Sequence, residues 1–529
     1  MSFSLRELDA RAVVLAVLAV GALLRFLIAE STGLGVDESY AVAVSRQFSL
    51  SYFDHPPLHF WIAGAMAKLA HSEAAVVVRF PFVACFAATT WLMYRITARF
   101  FGEHAGALAA VLMNISAVFS VSTGGWVLPD GPLMLFMLAA VAVISDILFD
   151  PVSQRTPHQI SPSAEPVAPF LRAPNTFRWV AAGIFTGLAM LSKYHGVFIL
   201  AGTFLFLLTS APHRKWLKHP GPYFGAFIAC AMFAPVTIWN REHGWTSFVF
   251  QGGRAAGRGG LHLDSMLASI GGQAAYVLPW IWIPLVVVLY RAIRGGPRDA
   301  ARWFLVCLGI GPIAAFTLIA LRGDPGLPHW EAPGYLMILP ILGAAVAARL
   351  EHGDDRTRRW LKTSIWSFVW LVIFLATQTE SGWIQHVAPS LLAKGDPTTD
   401  MISWRELRPE LDAKGLLSHG EFLAAPSWIQ AGQSALGTGP DIPIICLCAD
   451  PHHFYYMNDD RTFLGHDAVF VKKLKANDDV VATFSPYFES FEAVDTLVIH
   501  RVSSKSEAMR VGIYRARGFK KVFPTTQPR

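Results

Sequence analysis

The chain has 529 residues, of which 53% are hydrophobic and only 16% charged, with a formal net charge of +6. Disorder needs low hydrophobicity, a collagenous chain a glycine repeat and a disulfide scaffold dense cysteine, so these classes are excluded. A soluble domain, with about a quarter of its residues charged, fits poorly. A mean hydropathy of +0.40, together with 17 Trp and 37 Phe, fits a chain that uses lipid as solvent for most of its length.

In chain order, the apolar run from Ala12 to Ala29 behind Arg6 and Arg11 is read as a retained first helix, because further long apolar runs follow at once. Runs of spanning length recur at about 79–99, 105–123, 130–149, 177–192, 194–210, 221–239, 273–291, 303–321, 334–350 and 361–379. They predict about eleven transmembrane helices, within about nine to thirteen. With the N-terminus inside, the basic segments His213-Arg214-Lys215-Trp216-Leu217-Lys218, Arg291 to Arg302 and Arg356 to Lys362 all fall inside, as the excess of Lys and Arg in cytoplasmic loops requires. The Pro- and Ser-rich stretch from Pro151 to Asn175 also falls inside and reads as a flexible linker. Segments 31–78, 124–129, the junction at Lys193, 240–272, 322–333 and everything after about 380 then face outside.

Residues 380–529 are expected to form a small soluble α/β domain on the outer face, after a membrane domain at 1–379. Ile442 to Leu447 and Thr496 to Ile499 read as short buried strands, and Trp404 to Lys414 has helical spacing. Cys85, Cys230 and Cys307 lie in apolar runs as small hydrophobes, and Cys446 and Cys448 are also read as structural. The basic residues form no stripe, so no nucleic-acid partner is expected.

This orientation places Asp37, Glu38, Asp54, His55, Asp130 and Lys193 on one side, near the outer membrane boundary. Ionisable groups there are costly unless they face a cavity, so each is a functional candidate. Each also has a plain structural reading. Asp37 and Asp130 could cap helices, and Lys193 could snorkel to headgroups; snorkelling explains Arg79, at the outer start of the second span, more easily than Arg25, which lies well within the first.

Asp37-Glu38-Ser39-Tyr40, Tyr52-Phe53-Asp54-His55-Pro56-Pro57-Leu58 with Trp61 and Arg79, Pro129-Asp130-Gly131-Pro132-Leu133 and Leu191-Ser192-Lys193-Tyr194 together carry a resemblance. In order and spacing they resemble the protein mannosyltransferase superfamily of membrane glycosyltransferases. The similarity is greatest to the bacterial branch that includes aminoarabinose and galacturonic acid transferases acting on lipid A. Pro328-His329-Trp330-Glu331-Ala332-Pro333, Asp396-Pro397-Thr398 and Trp404-Arg405-Glu406-Leu407 resemble segments of bacterial relatives. The resemblance implies an α-helical membrane GT-C fold with short amphipathic helices in the first periplasmic loop, and sugar transfer with inversion from a polyprenyl monophosphate to an acceptor. It implies a multi-pass protein of the bacterial inner membrane, its N-terminus cytoplasmic and its C-terminal domain periplasmic. The implied partners are the polyprenyl-phosphate sugar, a lipid or glycan acceptor and membrane lipids.

Within this reading Asp37 is the first choice of base, Asp130 the alternative or helper, and Glu38 a further acidic candidate, because an acceptor hydroxyl needs a carboxylate to take its proton. Lys193 first, then Arg79, His55, Arg254 and Arg258 are expected to hold the departing phosphate. Asp54, Tyr40, Tyr194, His329 and Glu331 are expected to line the substrate cavity. His55 stands where some relatives carry lysine, and Ser39-Tyr40 where some carry arginine, so the donor sugar could differ. No cofactor is required by this chemistry. His55, His262 and His329 are weak candidates for a divalent metal, without tight ligand spacing. The glycines around Gly252 to Gly260 do not sit between a strand and a helix, so they read as a basic lid or a flexible spacer. The competing readings are a protein O-mannosyltransferase-like enzyme, a transporter or flippase, and a structural membrane protein with a partner-binding outer domain. A transporter should show charges near mid-membrane, paired broken helices and repeats between its halves, whereas here the charges cluster at one face and no repeat between the halves is found.

Overall fold

A computed structural model describes residues 9–149, 175–256, 260–393, 395–475, 478–502 and 504–527. The linker expected from Pro151 onward and Arg258 lie outside the described residues. The membrane part comprises α1 (Ala10–Thr32), α2 (Val36–Ser45), α3 (Leu58–Ala70), α4 (Ala75–Phe101), α5 (Glu103–Asn114), α6 (Asp130–Leu148), α7 (Asn175–Ser192), α8 (Val197–Thr209), α9 (Pro220–Met232), α10 (Ala234–Glu242), α11 (Thr246–Ala256), α12 (Leu263–Val277), α13 (Pro279–Gly295), α14 (Ala300–Ala320), α15 (Ala332–Glu351) and α16 (Asp355–Ser381).

Among the described residues, six helices are long and apolar enough to cross a membrane, or up to eight if two bent pairs each count as one span. Two shorter apolar helices, Thr176–Ser192 and Tyr194–Thr209, fall on expected spans and account for part of the difference from the expected eleven, whereas a third, Leu58–Ala70, lies in the segment expected to face outside. The remaining differences have local causes. The run at 105–123 stops at Asn114 and ends in a π-helical turn, Val118–Ser122. The segment at 240–272, expected as a loop, is largely helical, and Gly252 and Gly253 lie inside α11. The span expected at 273–291 begins earlier, in α12, and bends by 111° at its junction with α13. Leu278 sits there at φ 79° before Pro279, whose ring disfavours helical geometry in the preceding residue.

Burial sorts the helices. In α6 and α15, 78% of the spanning window is inside the bundle, against 11% in α1 and α16, so the former build the core and the latter face lipid. Arg25, in the middle of α1, is satisfied without snorkelling. Its guanidinium donates to the carbonyls of Gly124 (2.8 Å) and Gly21 (2.8 Å) and to Ser120 Oγ (2.9 Å), and it lies 4.1 Å from the Phe86 ring centroid. It thereby fastens α1 to the turn that leads into α6. A Cβ on Gly124 or Gly125 would come within 2.9 Å of the Arg25 side chain, so this approach requires glycine.

After α16 come α17 (Trp383–Val387), α18 (Leu407–Ala413) and a sheet of β1 (Phe422–Ala425), β2 (Ile444–Cys446), β3 (Ala468–Lys473), β4 (Phe488–His500) and β5 (Glu507–Phe519), with α19 (Trp428–Thr438) following β1. The strand order is β2-β1-β3-β5-β4; β1 pairs in parallel with β2 and β3, while β5 pairs antiparallel with β3 and β4. Thr496 to Ile499 is a correction. It belongs to a 13-residue edge strand, and of these four residues only Ile499 is buried, because β4 has a neighbour on one side alone.

Period-two alternation gives the sheet two apolar faces. Phe422, Ala424, Ile445 and Phe470 form one core, whereas Leu423, Ala425, Ile444 and Val469 join Tyr40, Val42, Tyr52 and Phe60 in another. The C-terminal sheet and the α2–α3 segment therefore share a single apolar core. Gly432 makes this docking possible, since a Cβ there would lie 2.8 Å from the backbone of Tyr40.

Candidate active site

Glu38 and Asp37 are adjacent on α2 and fully different in surroundings. Glu38 is 3% exposed and accepts from Arg79 Nε (2.8 Å), Arg79 Nη2 (2.5 Å), the Gly35 amide (2.9 Å) and the Val127 amide (3.0 Å). Arg79, 2% exposed, also donates to the Gly33 carbonyl and Thr32 Oγ1 and packs 4.3 Å from the Trp126 ring centroid. The expectations of Glu38 as a catalytic acid and Arg79 as a phosphate contact are corrected on this ground. The pair is buried and its hydrogen-bonding capacity is taken up in joining α1, α2, α4 and the turn before α6.

Asp37 accepts no side-chain hydrogen bond from any described residue. It lies in the first turn of α2, but Gly35 holds the cap position, so it is not the N-cap. Its side chain is exposed, yet protein surrounds it on most sides. That setting pushes its carboxyl up to about 6, through burial first and then the negative charges of Asp54, Glu38 and Asp400.

Asp54 acts electrostatically on both Asp37 and His55. Its Oδ1 accepts from the Tyr40 hydroxyl (2.7 Å), which in turn accepts from the backbone N–H of His453 (3.1 Å). His55 Nε2 is 3.9 Å from Asp54 Oδ2. Burial drives the His55 imidazole down to about 3, with Asp54 acting against it and the charge of Lys193 acting with it.

Deepest in the site, Lys193 Nζ donates to both oxygens of Asp130 (3.0 and 3.2 Å), with both side chains almost fully buried. Asp130 is the first residue of α6, and Pro129 holds the cap position without a side-chain cap bond. Asp130 thus neither caps the helix nor stands free. Lys193 extends from the break between α7 and a single 3₁₀ turn, Tyr194–Gly196, and is paired instead of snorkelling. An ammonium carries three donors, so the pairing leaves one N–H for a ligand while the local charge stays balanced. His329 senses both partners, and burial, reinforced by Lys193, lowers its imidazole to about 4.

Glu331, 2% exposed, begins a second polar network. Its Oε1 accepts from Gln273 Nε2 (2.9 Å) and Ser269 Oγ (3.3 Å), and Tyr335 and Trp282 extend the chain of donors. Its Oε2 has no partner among the described residues, and burial raises the carboxyl to about 7. Arg254 is exposed on α11 and stacks 4.3 Å from the Phe250 ring centroid, away from any ion pair among the described residues. Tyr194 packs against Phe233 and Phe248. Among the described residues, His55, His262 and His329 join no group of three or more His, Cys, Asp or Glu side chains that could hold a metal ion.

Sequence reasoning missed the share that residues after α16 have in the site. His452 stacks on Trp428 (4.5 Å), contacts the Tyr40 and Phe53 rings edge-on and acts electrostatically on Asp37, as does Asp400. Its Nε2 lies 3.4 Å from Asp450 Oδ2. His59 and His195 surround the Lys193–Asp130 pair and both act on it or feel its charge. Only His452 carried a signal, a strained backbone at φ 53°, and that is visible in the structure alone.

With this geometry in hand, comparisons with known proteins define the class. The sequence profile of the dolichyl-phosphate-mannose-protein mannosyltransferase family matches residues 54–151 and 168–239. The lipid A galacturonosyltransferase RgtD of Rhizobium johnstonii is 24% identical over an alignment that spans 58% of this chain and 59% of that relative. The crystal structure of ArnT from Cupriavidus metallidurans in the apo state superimposes with a TM-score of 0.61 at 14% identity, covering 96% of this chain and 98% of that one. The same protein bound to undecaprenyl phosphate gives 0.61 at 15% identity, covering 94% and 97%. The chain is thus a helical membrane protein with the GT-C fold, similar in sequence to the mannosyltransferase family, as its motifs implied.

Proposed function

We propose that this chain is an inverting glycosyltransferase that moves a sugar from a polyprenyl monophosphate to a lipid or lipopolysaccharide acceptor on the periplasmic face of the inner membrane. The observation that carries the reading is Asp37, an exposed acid with no side-chain hydrogen bond among the described residues, whose charge is coupled to Asp54, while His55 is coupled in turn to Asp54 and to the Lys193–Asp130 pair. In the proposed step the acceptor oxygen attacks the anomeric carbon as Asp37 takes its proton. The bond from that carbon to the phosphate oxygen breaks, and the polyprenyl phosphate leaves with the electron pair.

The negative charge developing on the phosphate is met by the remaining N–H of Lys193 and by neutral His55, donors already fixed before reaction. Asp130 orients Lys193, and Tyr40 orients Asp54. The likeness to a lipid A galacturonosyltransferase supports a lipid acceptor, and the ArnT structure with undecaprenyl phosphate supports the donor class. The test is mass spectrometry of lipid A, other glycolipids and envelope glycans from cells with and without the gene. A hexose, pentose or uronic acid missing from one species names donor sugar and acceptor together, whereas identical profiles contradict the reading.

A further inference from the structure

A cavity of about 180 Å³ lies between α6, α7, α8 and α9, lined by Trp179, Thr186, Thr203, Phe204, Leu217 and Tyr223 among others. Its lining on α7 runs from Trp179 to Thr186, which places it from about 21 Å to about 10 Å from Lys193 along the helix axis. Two buried polar atoms of its lining, Trp179 Nε1 and Thr203 Oγ1, have no hydrogen-bond partner among the described residues, although both side chains are more than nine-tenths buried. Hydrocarbon alone leaves both unsatisfied, at a cost that buried N–H and O–H groups rarely bear. The 3₁₀ turn Arg214–Lys218 closes the cavity through Leu217 and exposes Arg214, Lys215 and Lys218 beside it. No carboxylate among the described residues forms an ion pair with these three. They belong to the segment that loop charge places on the cytoplasmic side.

We propose that this cavity binds a glycerophospholipid with an anionic headgroup. An acyl chain fills the apolar space, an ester carbonyl accepts from Trp179 Nε1, and the phosphate rests on Lys215 and Lys218. The charge complementarity selects the headgroup: basic pockets between helix ends favour anionic lipid, at a strength that grows with each cation. The site is separate from the glycosyl-transfer chemistry and does not depend on it.

The test is native mass spectrometry of the purified full-length protein in detergent, titrated with dioleoylphosphatidylglycerol or dioleoylphosphatidylcholine. The glycerol lipid is expected to remain as a tight adduct and the choline lipid to be lost. Lys215→Gln with Lys218→Gln, both exposed, should weaken the glycerol lipid about thirtyfold. Ala226→Phe, which fills the cavity, should abolish the adduct while the melting temperature without lipid is kept. If that variant misfolds, the paired lysine variant still decides. Equal retention of both lipids, an unchanged affinity in the lysine variant, or displacement by undecaprenyl phosphate would overturn the proposal, the last by assigning the cavity to the donor's tail.

Discussion

The guanidinium of Arg79 holds Glu38 through two hydrogen bonds of 2.8 and 2.5 Å, and this leaves the adjacent Asp37 as the exposed acid of α2. Two neighbouring carboxylates thus have separate tasks, set by environment. Glu38→Gln should destabilise the protein by about 3–5 kcal/mol, because it strands a buried cation. Asp37→Asn should leave the melting temperature of the detergent-purified protein within a degree or two. The two melting curves check this, and a larger drop for Asp37→Asn would reverse the assignment.

The Lys193–Asp130 pair is buried, so each charge depends on the other. Lys193→Met and Asp130→Asn should each cost about 3–5 kcal/mol, and the double variant less than their sum, since it leaves no charge unpaired. Thermal denaturation of the four proteins measures the coupling; strict additivity would mean that the pair is not formed.

A base must be ionised to accept a proton. With Asp37 raised to about 6, transfer should fall roughly tenfold per unit as pH drops below 6 and level off above it. Part of that elevation comes from the charge of Asp54, so Asp54→Asn should move the acid limb to lower pH. A pH–rate profile of the purified enzyme with and without this substitution shows whether the limb moves.

Docking of the C-terminal sheet and α19 onto α2 rests on the absence of a side chain at Gly432. Gly432→Leu should separate α19 from Tyr40, loosen the Tyr40–Asp54 bond and expose the segment after α16 to limited proteolysis. Unchanged protease resistance would show that the contact is dispensable.

The long apolar runs and the acids at their outer ends were legible because charge is scarce in this chain and a burial cost attaches to each ionisable group near a bilayer. Sequence could not show which groups were already committed. Glu38 and Arg79 are 41 positions apart, and Asp130 and Lys193 are 63 apart, so their pairing exists only after the helices pack. The same limit hid His452, which reaches the Tyr40 ring from the outer sheet through a contact between segments more than four hundred residues apart. Breaks at Leu278 and Asn114 shortened apolar runs that hydropathy alone reads as continuous.

The central claim is that Asp37 is the base of a sugar transfer at the membrane surface. It is tested most directly by mass spectrometry of the glycolipids of cells lacking the gene and complemented with either the wild-type chain or Asp37→Asn, matched for protein level. The account predicts that the wild-type chain restores one sugar-modified species and the variant restores about one hundredth of it or less. Full restoration by Asp37→Asn would contradict it.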